Sequence, residues 1–305
     1  MIWRKRGTVF QPKGDRWWAR QYATIPTVTV LDDRTLRVFY ASLDDRNYGR
    51  IGYVDLDARD PGRILFESPE PVLDIGHPGA FDDCGVNASC VITVGARRFL
   101  YYIGWQRCER VPYMLFTGLA TSHGVEPFAK VAPVPVLDRT AAEPFSRSAP
   151  FVMPEGDGFR MWYWSCLRWS EGRDERLRYN NVIRHARSAD GIEWAGAGDL
   201  CLEPDWPLEY SLGRPWVVRD DRTFRMWFSI RSEDRPYRLG YAESSDGREW
   251  ARKDSEVGLH RSESGWDSEM VCYPCVVDAA GNRYLFYNGN RHGATGFGYA
   301  VLEQD

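Results

Sequence analysis

One pattern of strands and turns recurs five times along the chain, and its spacing leaves few architectures open. The clearest copy is residues 213 to 250, GRPWVVRDDRTFRMWFSIRSEDRPYRLGYAESSDGREW. An apolar run (Trp216-Val217-Val218) meets a polar turn at Asp220-Asp221. An aromatic strand follows (Phe224, Met226, Trp227, Phe228), then Leu239-Gly240-Tyr241-Ala242, and an Asp246-Gly247 turn closes on Trp250. Short apolar and aromatic runs divided by Asp/Gly turns signal antiparallel strands, because Asp-Gly supplies the backbone conformation that tight hairpins require. With Pro215 as a ruler mark, equivalent positions fall at Pro26, Ala88, Pro150 and Pro274, at intervals of 62, 62, 65 and 59 residues. A second mark, the aromatic of the following strand, falls at Tyr40, Tyr102, Tyr163, Phe228 and Tyr287, at intervals of 62, 61, 65 and 59. Two independent marks that drift together establish a repeat, and several strands per repeat imply the blades of a propeller.

The spacing predicts an all-β, five-bladed β-propeller. The blades cover about residues 20–73, 81–137, 146–202, 210–259 and 270–305. The last copy has room for only three strands, and residues 3–10 read as a lone strand before the first blade. That strand is expected to complete the fifth blade and close the ring, leaving no open sheet edge. No linker, low-complexity stretch or composition shift divides residues 1–305, so one domain is expected.

Composition narrows the function classes. The net charge of −4, from 39 basic and 43 acidic residues, gives no electrostatic case for nucleic acid. No apolar run reaches the ~18 residues that span a membrane. The basic N-terminus has no apolar segment behind it and so does not read as a secretory signal. Seven cysteines, an odd number in a large domain, read as reduced thiols, and the whole points to a cytoplasmic protein. Cys272-x-x-Cys275 spans Tyr273-Pro274 on a predicted strand, whose alternation turns residues three apart to opposite faces, so no metal site is expected there. No cofactor is expected, and the sequence does not speak to oligomeric state.

In a propeller the leading ends of the inner strands form the mouth of a central funnel. Those ends carry Arg20 in blade one, Asp82 and Asp83 in blade two, Glu143 and Arg147 in blade three. Blade four offers Glu209 and Arg214, and blade five Asp267 and Glu269. Every blade sends charge to the equivalent place. Paired carboxylates suit glycosidic chemistry, one protonating the leaving oxygen while another activates water or attacks the anomeric carbon. Mutual repulsion in such a cluster keeps one member protonated. Arginine forks grip carboxylate or phosphate, so Arg20, Arg147 and Arg214 point to an anionic sugar. Trp105, Trp164, Trp169 and Tyr179 lie in or just after second strands, within reach of a sugar ring. Tyr273 heads the last inner strand, and a Gly-rich loop brings Asn288, Asn290 and His292 near the channel. A purely structural reading, in which these charges pair to fill a polar channel, stands beside the functional one.

The hairpins Ala186-Arg-Ser-Ala-Asp-Gly-Ile-Glu-Trp194 and Ala242-Glu-Ser-Ser-Asp-Gly-Arg-Glu-Trp250 resemble the S-x-D-G-x-x-W turn of glycosidase propellers. Phe81-Asp-Asp-Cys-Gly-Val, Gly265-Trp-Asp-Ser-Glu-Met and Phe286-Tyr-Asn-Gly-Asn resemble propeller proteins of bacterial polysaccharide gene clusters. At the level of blades the chain is similar to glycoside hydrolase families 43, 32 and 130. That resemblance implies an Asp base, a second Asp and a Glu acid on different blades, for which Asp82 or Asp83, Glu209, Glu269 and Asp267 are the candidates. The chain departs from family 43 at blade one, where Arg20 stands in place of the base, and an arginine-rich rim is closer to the phosphate-using family 130. The expected function is cleavage or transfer of a glycosyl group on a small anionic carbohydrate. The alternatives are a biosynthetic step on a sugar nucleotide or glycoside, and sugar binding without turnover.

Overall fold

The computed structural model describes residues 1–124 and 126–304. Strand β1 (Ile2–Phe10) opens the chain. A first unit follows, β2 (Gln21–Asp32), β3 (Thr35–Leu43), β4 (Gly49–Asp57) and β5 (Ile64–Glu67). The second unit holds β6 (Gly85–Val94), β7 (Arg97–Arg107), β8 (Tyr113–His123) and β9 (Ala129–Lys130). The third holds β10 (Arg147–Glu155), β11 (Gly158–Glu171), β12 (Leu177–Ser188) and β13 (Asp199–Leu202). The fourth holds β14 (Glu209–Asp220), β15 (Thr223–Ser232), β16 (Arg238–Ser244) and β17 (Ala251–Arg252). The last holds β18 (Cys272–Ala279), β19 (Asn282–Asn288) and β20 (Phe297–Gln304).

Each unit is an antiparallel meander. In the last, the fourth place is taken by β1, paired antiparallel with β20 through Trp3↔Leu302 and Lys5↔Ala300. The first strands of consecutive units touch in the order β2, β6, β10, β14, β18, and β18 touches β2. Single parallel bridges, Gly49↔Gly85 and Phe116↔Arg147, tie the first three units into one path of pairing.

Both sequence marks find a physical cause. The second-strand aromatics Tyr40, Tyr102, Tyr163, Phe228 and Tyr287 are fully buried, and large rings are what a stack of twisted sheets needs to fill its core. The first mark sits at a register shift in every first strand, between Thr24 and Thr27, Ala88 and Cys90, Ser148 and Phe151, Gly213 and Trp216, and Cys272 and Cys275. Such bulges bend the strand and re-aim one side chain. The residue just before the mark takes left-handed φ at Ile25 (56°), Ala149 (51°), Arg214 (53°) and Tyr273 (56°). For side chains this bulky that conformation costs on the order of 1–3 kcal/mol apiece, so something else must hold it.

The Asp-Gly turns serve as clasps between units. Tyr101 Oη donates to Gly191 O at 2.6 Å, and Trp162 Nε1 to Gly247 O at 2.8 Å. Trp194 and Trp250 donate to the same carbonyls at 3.2 Å each. Backbone amides of Arg248 and Glu249, donating to Asp246, pull its carboxyl down to about 2. These residues act as scaffold.

Candidate functional site

A cavity of about 1100 Å³ opens where the first strands meet. Its lining includes the residue before every ruler mark: Ile25, Asn87, Ala149, Arg214 and Tyr273. At Ile25, Ala149, Arg214 and Tyr273 the residue lies inside the bulge, which turns it toward the central space; Asn87 stands just ahead of its own. Above them stand Ile103, Trp164 and Ser229, each one residue after a second-strand aromatic. The wall is rich in rings. Trp164 stacks on Tyr179 (centroids 5.7 Å, planes 6° apart), and Tyr179 also meets Tyr113 at 5.8 Å. Tyr237 meets Tyr273 at 6.2 Å and His292 at 5.0 Å. Arg231 lies between the two groups, 4.4 Å from the Tyr179 ring and 4.7 Å from that of Tyr237. Aromatic faces with interleaved polar groups suit the apolar faces and hydroxyls of sugar rings.

The electrostatics centre on Arg214, which is 2% exposed. Its Nη2 donates to Pro26 O at 3.3 Å and Thr27 Oγ1 at 2.9 Å, and its guanidinium stacks over Trp216 at 5.0 Å. Its Nε and Nη1 are buried with no hydrogen-bond partner in the protein. Among the described residues no carboxylate forms an ion pair with it or with Arg231. Burial pulls its pKa down to about 10, so the group stays charged at neutral pH. An unneutralised charge under protein is costly, and an anion held in the adjoining cavity would offset it. Asn181 Oδ1, also buried and without a partner, faces the same space. His292 stands at the mouth; crowding by protein around its imidazole, reinforced by the charge of Arg231, holds its pKa down to about 4, so the ring is neutral.

The carboxylates expected at the leading ends go elsewhere. Asp82 is buried, accepts from Tyr102 Oη at 2.9 Å and pairs with Lys130 at 2.6 Å. Asp267 repeats this with Tyr287 Oη at 2.9 Å and Lys5 at 2.6 Å. Glu143 accepts from Tyr163 Oη at 2.9 Å and pairs with Arg147 at 3.2 Å. In the fourth unit, where Phe228 has no hydroxyl, Glu209 binds Arg238 at 2.5 Å and Arg252 at 2.9 Å. Burial alone would raise the Glu209 carboxyl, but these arginines hold it below its ordinary range. The first unit shows what happens without the acid. Ala19 follows Trp18 as Asp82 follows Phe81, and Tyr40 Oη is left buried without a partner. Asp82, Glu143 and Asp267 are therefore locks, each joining a unit's entry loop to the aromatic of its second strand.

The structure does not gather the five candidate acids in the cavity. Asp83 accepts from Gly79 N at 2.8 Å on the entry loop, and Glu269 is exposed with only its backbone amide held, by Asn290. Glu209 borders a separate hollow. Among the expected ligand contacts, Arg214, Tyr273 and His292 line the cavity. Arg20 is exposed beside Asp45, and Arg147 is spent on Glu143, Asp138 O and Gly196 O. Trp105 packs against Gly49 and Gly85, while Trp169 backs Tyr113 and Tyr179 from outside. Asn288 ties the last unit to the first through Ile25 N and Ala23 O, and Asn290 braces the Trp266–Met270 turn. Asn87, Asn181, Arg231 and Tyr237 were not among the expected site residues; for Asn87 the signal was present, since it stands one residue before the mark at Ala88. Among the described residues no cluster of three or more His, Cys, Asp or Glu is arranged to hold a metal ion.

No family model matches the chain. It is 39% identical over 303 residues to the uncharacterized protein Rv1502 of Mycobacterium tuberculosis strain H37Rv, an alignment covering 99% of this chain and 100% of that protein. The chain belongs to the Rv1502 family. This chain shares its fold with propeller glycoside hydrolases of solved structure. A glycosyl hydrolase from Bacteroides ovatus superposes with a TM-score of 0.72 at 15% identity, covering 99% of this chain and 93% of that one. A thermostable family-43 glycoside hydrolase gives 0.70 at 16%, covering 95% and 93%. A structure from the GH130 family of mannoside phosphorylases, described as containing glycoside hydrolases that target β-1,2 mannosidic linkages in Candida mannan, gives 0.67 at 15%, covering 98% and 93%. At these identities the likeness establishes the fold.

Proposed function

We propose that the protein is a carbohydrate-active, single-domain, five-bladed propeller that takes an anionic sugar into its central cavity. The single observation that carries this reading is the Arg214 guanidinium. It is buried at the convergence of the first strands, with its Nε and Nη1 unpartnered, beside a cavity walled by Trp164, Tyr179, Tyr237 and Tyr273. A hexuronate or a sugar phosphate offers what that setting lacks, a negative charge joined to a ring with apolar faces. Seven free cysteines fit a reducing compartment, where sugar phosphates and sugar nucleotides are at hand.

Glycosyl cleavage or transfer in this cavity would draw its acid–base group from the rim, where Glu233 lines the opening and pairs with Arg178 at 2.6 Å. One observation favours a second reading, binding without turnover: none of the five residues before the ruler marks is a carboxylate. Calorimetry with glucuronate, galacturonate and sugar 1-phosphates, run beside mass spectrometry of each ligand after incubation, separates the two. Binding that Arg214→Gln abolishes, with product formation that Glu233→Gln abolishes, is the enzymatic outcome. Binding with every ligand recovered intact is the second. Binding of neutral sugars with no preference for anions sinks the reading of Arg214.

A further inference from the structure

Beside the central cavity lies a second hollow of about 590 Å³ over the fourth unit. Its walls are the Glu203–Glu209 turn on one side, and Arg238, Arg252 and Asp254 on the other. Two residues, Ser232 and Arg235, line both spaces, so the hollow adjoins the cavity across the end of β15. Arg235 is exposed, and among the described residues no ion pair engages it. On the outer turn Leu208 is 55% exposed and Trp206 37%, with the Arg168 guanidinium 5.8 Å from the Trp206 ring. The floor of the hollow is fixed, because Glu209 is 4% exposed and held by Arg238 and Arg252. Acids (Glu203, Asp205, Glu209, Asp254) and arginines (Arg235, Arg238, Arg252) almost balance there, unlike the floor of the cavity, where Arg214 stands alone.

We infer that this hollow is an extension site for the neighbouring rings of a glycan chain whose terminal, acid-bearing sugar sits on Arg214. The inference rests on the reading of the cavity above. Its own support is the shared border at Ser232 and Arg235, the near-neutral polar lining and the exposed Leu208 on the outer turn. A deep cation and a balanced, polar annex suit an acidic end group followed by hydroxyl-bearing rings. The cavity alone, at about 1100 Å³, already exceeds the roughly 300–1,000 Å³ of a usual small-ligand pocket, so one ring leaves it underfilled. The ligand is therefore an oligosaccharide bound end-on, its acid group entering first and its chain leaving across the fourth unit.

Calorimetry tests this with galacturonate against a trisaccharide of one terminal galacturonate and two neutral hexoses, and with glucose 1-phosphate against a maltotriose 1-phosphate to distinguish carboxylate from phosphate as the anchoring oxyanion. The trisaccharide acid of the preferred class is expected to bind about tenfold tighter than the monosaccharide. Leu208→Ser and Arg235→Ala, at exposed positions on the lining of the hollow, are expected to bring that ratio close to one. Monosaccharide acids that bind with no gain for the trisaccharide, or a gain that neither variant reduces, would overturn the extension site and leave the cavity reading standing. If no anionic sugar of either class binds, the cavity reading fails and the extension site falls with it.

Discussion

Arg214 and His185 are both buried with unsatisfied nitrogens, and they make opposite predictions. Arg214 carries a buried charge that no carboxylate pairs with, so an anion beside it is expected to stabilise the protein. Arg214→Gln is therefore expected to lower affinity for an anionic sugar about thirtyfold, the ~2 kcal/mol of a hydrogen-bonded charge contact, while the melting temperature holds or rises. Affinity that survives while stability collapses would make Arg214 a packing residue. Binding requires the protonated form, so affinity should be flat through neutral pH and fall as pH rises past about 10. His185 faces Trp162 at 5.6 Å, and neither ring nitrogen has a partner. Burial, with the charges of Arg160, Arg187 and Arg248 outweighing Asp199, lowers its pKa to about 4. Its unfolded value lies near 6.5, so between those limits the unfolded chain binds the extra proton. Stability is then complete above pH ~6.5 and lost as pH falls toward 4, by at most about 3 kcal/mol. Urea midpoints measured between pH 7 and 4.5 should fall, and fall less in His185→Gln.

At the scale of the strand, the second, third and fifth units are each held at their entry by an acid, a ring and a cation. Breaking one buried pair strands the other charge, so Asp82→Asn and Asp267→Asn are each expected to cost about 3 kcal/mol, read as a drop in denaturation midpoint. The fraction that stays folded should bind ligand normally, since neither side chain lines the cavity. Loss of binding with unchanged stability would restore these acids as functional groups. The same locks explain what sequence could and could not reveal. Strand count, the Asp-Gly clasps and the buried aromatics were legible because each depends on residue type and spacing alone. The inward-facing residues were harder. Alternation along a strand assigns faces only while the register is regular, and a bulge shifts that assignment by one residue. The signal lay one residue before the ruler mark, at 25, 87, 149, 214 and 273. Charge at the leading ends drew attention further upstream, to side chains that turn back beneath Tyr102, Tyr163 and Tyr287. Arg231 and Tyr237 carry no periodic signature, because they come from the end of β15 and the loop that follows it.

For the whole molecule the decisive piece is β1. It is the fourth strand of the last unit, yet it reaches beyond that unit at both ends. Trp3, 6% exposed, donates to Val257 O at 3.1 Å and meets Trp227 edge-on at 6.3 Å, so it binds the fourth unit. Lys5 completes the Asp267 lock of the fifth. Phe10 packs against Tyr40 at 4.7 Å in the first and Phe297 at 5.8 Å in the fifth. If the strand closes the ring, its loss should be felt by every unit at once. Removing residues 1–10 is expected to abolish cooperative folding, seen as loss of near-ultraviolet dichroism and of protease resistance. Because a failure to fold has many causes, graded point variants give the sharper measurement. Trp3→Ala should cost about 3–5 kcal/mol as a large buried ring lost from the core. Arg4→Ala removes only an exposed pair with Glu303 on the neighbouring β20 and should stay within about 0.5 kcal/mol. The unfolding transition of Trp3→Ala should remain single, since destabilising the seam of a closed ring lowers all units together. A truncated chain that kept its melting temperature, or a Trp3→Ala protein that lost only the fifth unit in a separate early transition, would show that the units stand without the seam.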